Sequence, residues 1–224
     1  MNVEIIKYPT QEDWLLVKKC TLVTVGKETN APATENFKKG LLRARHSPIR
    51  ELRFLFYLTD IPYWVSVHLC RHVHAHPYVK TQRNDRQNCY DRNSAPQNAP
   101  VDMMWSVNGE ELITIANKRL CKQASEETRK LVAMICDEVV KVCPEFKSEL
   151  VPMCVRNGGV CYEIKPCKTK KTNHEMIRTM SESELAEFLC QISECDERKC
   201  PAYDVCEYGS KGTRVWLKQE SEDE

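Results

Sequence analysis

Between Tyr63 and Pro100 the chain concentrates the side chains best suited to chemistry. The run His68-Leu69-Cys70-Arg71-His72-Val73-His74-Ala75-His76 holds four of its six histidines. On a helix His68, Arg71 and His72 share a face, at i, i+3 and i+4, and His74 points elsewhere. Such a run reads in three ways. Cations at a helix end complement the backbone dipole. His72, His74 and His76 could converge on a metal, since imidazole suits zinc, copper and nickel. The arginines supply the sharpest reading. Arg71, Arg83, Arg86 and Arg92 lie in one stretch, and Arg119 follows later. Guanidinium groups bind phosphate and carbonyl oxygens through paired donors, so convergent arginines suit a nucleoside monophosphate.

The elements that must position these groups alternate between strand and helix. Val3–Tyr8 reads as a strand, and Thr10 with Asp13 forms a capping box opening a helix. A second helix is expected from about Ala33 to Arg45. Leu52, Phe54, Phe56 and Leu58 alternate with their neighbours, the period of a strand with a buried face. Asp60-Ile61-Pro62 predicts a helix with Asp60 as N-cap, running to about His74. Residues 80–100 are polar and without periodicity, a long loop of the kind that carries function. Asn108 caps the next helix, with Glu111 three residues on. Leu131, Ile135, Val139 and Val142 form the apolar stripe of a helix from about Ser125 to Val142. Val160–Ile164 is expected as a short strand. Ser181 with Glu184 opens a last helix, Thr213–Lys218 is expected as a strand, and residues 220–224 form an acidic, disordered tail.

Composition sets the outer bounds. With 224 residues, 42% hydrophobic and 29% charged, the chain can bury a core of its own. Its formal net charge of +1 provides no global field for nucleic acid or a membrane surface. No apolar run is long enough to span a bilayer and no signal peptide stands at the start, so a cytoplasmic protein is expected. Thirteen scattered cysteines, an odd number, fit buried thiols better than a disulfide framework. Cys190, Cys195, Cys200 and Cys206 form a looser alternative, a structural metal site, at wider spacing than zinc ribbons use.

Taken in order, three motifs resemble the flavin-dependent thymidylate synthases. The family's signature is Arg-His-Arg, seven residues, then Ser; here it stands as Arg71-His72-Val73, seven residues, then Thr81. Upstream, His46-Ser47-Pro48-Ile49-Arg50-Glu51 with Phe54 and Phe56 looks like the family's His and Glu segment. Downstream, Asn108, Asn117-Lys118-Arg119 and Glu127 look like its Asn, Arg and Glu run, and Pro144, Cys154, Cys161 and Glu163 resemble the end of some members. The likeness covers about residues 40–167.

The resemblance implies an α/β (α+β) fold with a central mixed sheet flanked by long helices. The expected domains are a catalytic domain over residues 1–170 and a small Cys-rich C-terminal extension over 171–224. It further implies a homotetramer with active sites at subunit interfaces, FAD as cofactor, dUMP as substrate, methylenetetrahydrofolate as carbon donor and NADPH as reductant. Carried over by position, His68, Arg71, Thr81, Gln82, Arg83, Arg92 and Arg119 would bind dUMP, with Arg119 and Thr81 at the chemistry. His46, Glu51, Arg71, His72, His74, Asn108 and Gln123 would lie along the flavin.

The departures cluster on the flavin side. Val73 stands for the second Arg of the signature, Thr81 for Ser, His68 for Gln and Val79 for Glu. Glu110, Thr114 and Gln123 stand for Arg, Asn and His. Two alternatives to dUMP methylation therefore stay open: a pyrimidine-nucleotide binder without flavin or activity, and an enzyme that adds another one-carbon group to dUMP.

Overall fold

The computed structural model describes residues 1–83, 85, 91–167 and 177–192. The chain divides into two compact units, Met1–Asn157 and Gly158–Glu224.

The first unit is built on a sheet of four strands in the order β1-β2-β4-β3. These are β1 (Asn2–Lys7), β2 (Arg53–Pro62), β3 (Ala75–Val79) and β4 (Pro100–Asn108). The expected α/β class is what the fold shows, and all three strand pairings are antiparallel rather than mixed. Alternation decides which face is inside. Phe54, Phe56 and Leu58 of β2 stand opposite Val107, Trp105 and Met103 of β4, and all six are buried. Phe56 and Trp105 bring their ring centroids to 5.8 Å, and Phe54 meets Phe146 edge-on at 5.4 Å.

Helices cover that face: α1 (Gln11–Val23), α2 (Glu35–Ala44), α3 (Tyr63–Cys70), α4 (Gly109–Arg119), α5 (Glu126–Val142) and the short α6 (Met153–Arg156). The stripe of Leu131, Ile135 and Val139 in α5 is buried, and α5 packs on β1 and α4. Thr10 and Asp13 make the capping box of α1. Trp14 of α1 donates its indole N–H to Glu145 Oε1 at 2.7 Å, and Lys38 of α2 lies 3.9 Å from the same oxygen. Burying these polar groups is tolerable because each has a partner; the contact ties α1 and α2 to the 3-10 turn Pro144–Phe146 that follows α5.

Three local expectations change. The helix expected from Asp60 begins at Tyr63, because β2 continues to Pro62 through a register shift between Leu58 and Ile61. Asp60 takes a positive φ of 55° there, and its carboxylate receives the Met1 ammonium at 2.9 Å. That helix, α3, ends at Cys70 rather than His74, since Ala75 already pairs with Val107. The strands β3 and β4 had not been expected. Their signal was present: Val101, Met103, Trp105 and Val107 are buried and alternate with half-buried neighbours.

In the second unit, α7 (Glu182–Ile192) starts as read from the sequence. Glu184 N–H donates to Ser181 Oγ at 3.3 Å, and Ser181 N–H to Glu184 Oε2 at 2.7 Å. Val160–Ile164 forms no strand. Thr213–Lys218 and the acidic tail lie outside the described residues.

Candidate functional site

The end of α3 and the length of α4 are held against each other by one chain of hydrogen bonds. It starts at Asn108, the N-cap of α4, whose side-chain oxygen accepts Glu111 N–H at 2.8 Å. The Glu111 carboxylate, in the first turn of α4, reaches His72 Nδ1 at 3.1 Å. On the far edge of the ring, Arg119 Nε–H donates to His72 Nε2 at 3.3 Å. Arg119 sits in the last turn of α4, where a cation complements the helix dipole. A ring nitrogen that accepts cannot carry a proton, so this geometry suits the neutral ring with its hydrogen on Nδ1. Burial and then the Arg119 charge hold the His72 pKa below the usual imidazole range, against the opposing pull of Glu111.

His68, one turn before, joins the same cluster. Its Nδ1 lies 3.0 Å from Thr128 Oγ1 of α5, which also accepts from Ser125 Oγ at 2.8 Å. Its ring packs edge-on against Trp64 at 5.3 Å. Burial, then Arg119, then Arg71 lower its pKa. Arg119 itself is lowered by burial and by Arg71. The two guanidinium groups therefore feel each other, and neither has a carboxylate partner among the described residues. A pair of like charges without a counter-ion is a place prepared for an anion.

The fold thus gathers His68, Arg71, His72, Asn108 and Arg119. It gives the other expected site residues different settings. Arg83 pairs with Asp85, Nε to Oδ1 at 2.9 Å, in the exposed segment after β3. Arg92 is exposed, and its charge acts on Asp85. Thr81 Oγ1 accepts Arg83 N–H at 3.2 Å and bends that segment; Gln82 beside it is half-buried. His46 is exposed at the start of the 3-10 turn Ser47–Glu51 and makes no capping hydrogen bond; Glu51, His74 and Gln123 are exposed. Arg50 is ion-paired to Glu110 at the N-terminus of α4.

Two participants were not foreseen in these roles. In the sequence Glu111 marks only a helix start, and Thr128 carries no signal. No local spacing reveals either, because Glu111 is 39 residues from His72 and Thr128 is 60 from His68. Among the described residues no group of His, Cys, Asp and Glu is arranged for a metal. That includes His72, His74 and His76; Cys195, Cys200 and Cys206 lie outside the described residues, and Cys190 is half-buried on α7.

A cavity of about 640 Å³ lies elsewhere, lined by Lys39, Arg43, Ser148, Glu149, Val155 and Arg156 among others. Its Arg156 is matched by Glu149, Nε to Oε2 at 3.0 Å. The unmatched pair Arg71 and Arg119 makes the stronger case for ligand chemistry.

Residues 86–145 match the family described as thymidylate synthase complementing protein. Among solved structures, the chain is similar to flavin-dependent thymidylate synthase from Helicobacter pylori complexed with FAD and dUMP. The likeness has 15% identity and a TM-score of 0.50, over 61% of this chain and 93% of that one. A second structure from Helicobacter pylori, thymidylate synthase X with FAD and dUMP, aligns at 14% identity and a TM-score of 0.48, over 61% and 92%. No curated protein matches. The resemblance read in the sequence is borne out by the match over residues 86–145, and the structural likeness shows the same fold.

Proposed function

We propose that this relative of the flavin-dependent thymidylate synthases catalyses the reductive methylation of dUMP to dTMP, with methylenetetrahydrofolate as carbon donor and NADPH as reductant. The observation that carries the proposal is the adjacent pair Arg71 and Arg119, which lacks any carboxylate partner among the described residues. A nucleoside monophosphate supplies the missing negative charge and the planar acceptors that guanidinium groups bind.

In this reading Arg119 faces the pyrimidine and stabilises negative charge developing on the ring. Its Nε is committed to His72, so its terminal N–H groups remain for substrate. Arg71, His68 and Gln82 complete the nucleotide contacts, and Thr81 sits beside the reacting ring. Arg83 and Arg92 hold the phosphate and the polar edge. Both are exposed and lie between β3 and β4. A homotetramer in which that segment of one subunit meets Arg119 of another would assemble the full site. No thiol of the chain is asked to attack the pyrimidine: Cys70 is exposed at the end of α3, and partial desolvation raises its pKa, which disfavours the nucleophilic thiolate.

The donor set also suits FAD. His46, Glu51 and His74 are exposed polar groups, and Arg71 has no partner to give up before binding a pyrophosphate. His72, Asn108 and Gln123 would be further residues that hold the flavin. FAD when bound supplies the hydride; the protein supplies position and electrostatics. Residues 1–170 are the catalytic domain in this reading and 171–224 an extension to it, in a cytoplasmic enzyme.

Purified protein reconstituted with FAD should show flavin absorbance and release deuterium from C5-labelled dUMP. Flavin and dUMP bound, with C5 release but a product other than dTMP, would indicate transfer of a different one-carbon group. Colourless protein that cannot be reconstituted would overturn the flavin reaction. The ion pair of Arg50 with Glu110, where the family has Arg, makes this a real alternative: a nucleotide binder without flavin.

A further inference from the structure

We propose that Glu111 is a positioning residue for the nucleotide pocket, fixing His72 as the one tautomer that can hold Arg119 in place. The inference deepens the reading of Arg119 as a dUMP-binding residue and rests on it.

The argument begins with direction. Imidazole has two nitrogens, and when neutral only one carries hydrogen. With the hydrogen on Nδ1, the ring donates to Glu111 Oε1 at 3.1 Å and accepts Arg119 Nε–H at 3.3 Å. With the hydrogen on Nε2, both contacts fail together. Nε2–H would face Arg119 Nε–H, donor against donor, and the bare Nδ1 would face a carboxylate. The choice of tautomer therefore decides whether Arg119 is tethered.

Glu111 is equipped to make that choice. It is 9% exposed, so its carboxylate has little water to satisfy it and needs a donor. His72 Nδ1–H is that donor. The residue itself is immobilised from two sides: its own N–H is bound by Asn108, and its position in the first turn of α4 favours a negative charge. Arg119 closes the circuit from the last turn of the same helix. One rigid helix thus carries both ends of the chain of contacts, and the turn that follows α3 contributes the ring between them. What Arg119 retains is a guanidinium whose Nε–H is taken by His72 and whose terminal N–H groups are left for a ligand. Preorganisation of that kind acts on ligand affinity, since a side chain already ordered loses less entropy on binding.

The test compares wild type with Glu111→Gln and Glu111→Leu in the full-length chain. Gln can still accept from Nδ1–H; Leu cannot. The first readout needs no ligand. Nitrogen-15 NMR of the imidazoles, with His72 assigned by its loss in His72→Asn, reports the tautomer near neutral pH. Wild type and Glu111→Gln should carry hydrogen on Nδ1, and Glu111→Leu should gain the Nε2–H form. The second readout is dUMP affinity. Glu111→Gln should retain most of it, and Glu111→Leu should lose about 10- to 100-fold, the scale seen when a metal-bound histidine loses the carboxylate that orients it. If Glu111→Leu folds poorly, the wild-type tautomer still decides: hydrogen on Nε2 in wild type overturns the proposal. So does a folded Glu111→Leu that binds dUMP as wild type does. A wild-type protein that binds no dUMP overturns the proposed function and this inference with it. Wild type that binds dUMP beside an unimpaired Leu variant overturns the role of Glu111 alone.

Discussion

His68 and His72 both have depressed pKa values in the folded chain, burial first and Arg119 next, with Arg71 adding to the effect at His68. Each therefore binds protons less readily when folded than when unfolded. Above about pH 6.5, the unperturbed imidazole value, both are neutral in either state and their contribution is fully present. As pH falls through that value the unfolded chain takes up protons first, and stability is lost until the folded pKa is passed. Urea unfolding should therefore show a midpoint that drops between about pH 7 and pH 5.5, above the ordinary carboxylate range. His72→Asn should flatten that dependence; an equally steep profile in the variant would show that His72 is not its source. Thiols give a second check at this scale. Burial pushes Cys136 and Cys143 up to about 12. Peptide mapping after brief alkylation of native protein should find both unmodified, and rapid labelling of either would contradict their placement in the core. Individual roles at this scale were partly legible in the sequence. The His68–His72 run announced itself by residue type, whereas Glu111 and Thr128 meet it only through tertiary contact.

Among the elements, α4 has the strictest requirement, and Gly109 states it. A Cβ there would stand 2.9 Å from Ile49 O and 3.4 Å from Leu52 Cβ. Gly109 N–H also donates to Leu52 O at 2.8 Å. The helix that carries Glu111 and Arg119 is thus seated directly on the segment Ser47–Leu52. Gly109→Ala should force the two apart and cost about 1–3 kcal/mol, the usual range for overpacking. Chemical denaturation would register it; an unchanged midpoint would mean that the neighbouring backbone yields freely. In the sheet, Phe56→Ala should cost about 3–5 kcal/mol, because the ring is fully buried against Trp105. Helix starts were the most legible elements, at Thr10, Asn108 and Ser181, since a cap is a local event. The alternation of β4 is clear, but it runs straight on from a polar stretch without periodicity, and only pairing with β2 and β3 makes it a central strand. The true start of α3 could not be read locally: Asp60-Ile61-Pro62 has the residues of a helix cap, and only pairing with β4 keeps it in the strand.

At the scale of the whole molecule, all the gathered site residues belong to the first unit, Met1–Asn157. Two of the motifs read along the chain touch in the fold, where Arg119 at the end of α4 reaches His72 in the turn after α3. The setting of Arg83 was not legible, since its partner Asp85 is a neighbour on the segment rather than a group of the site. A single subunit therefore presents two cationic regions: Arg71 with Arg119, which His72 tethers, and the exposed Arg83 and Arg92 between β3 and β4. Calorimetric titration of dUMP into wild type and Arg119→Ala tests most directly that the first of these is the nucleotide pocket. A hydrogen bond to a charged group is worth about 1.5–3 kcal/mol, so Arg119→Ala should bind roughly 10- to 150-fold more weakly. Equal affinity in the two proteins would contradict the account.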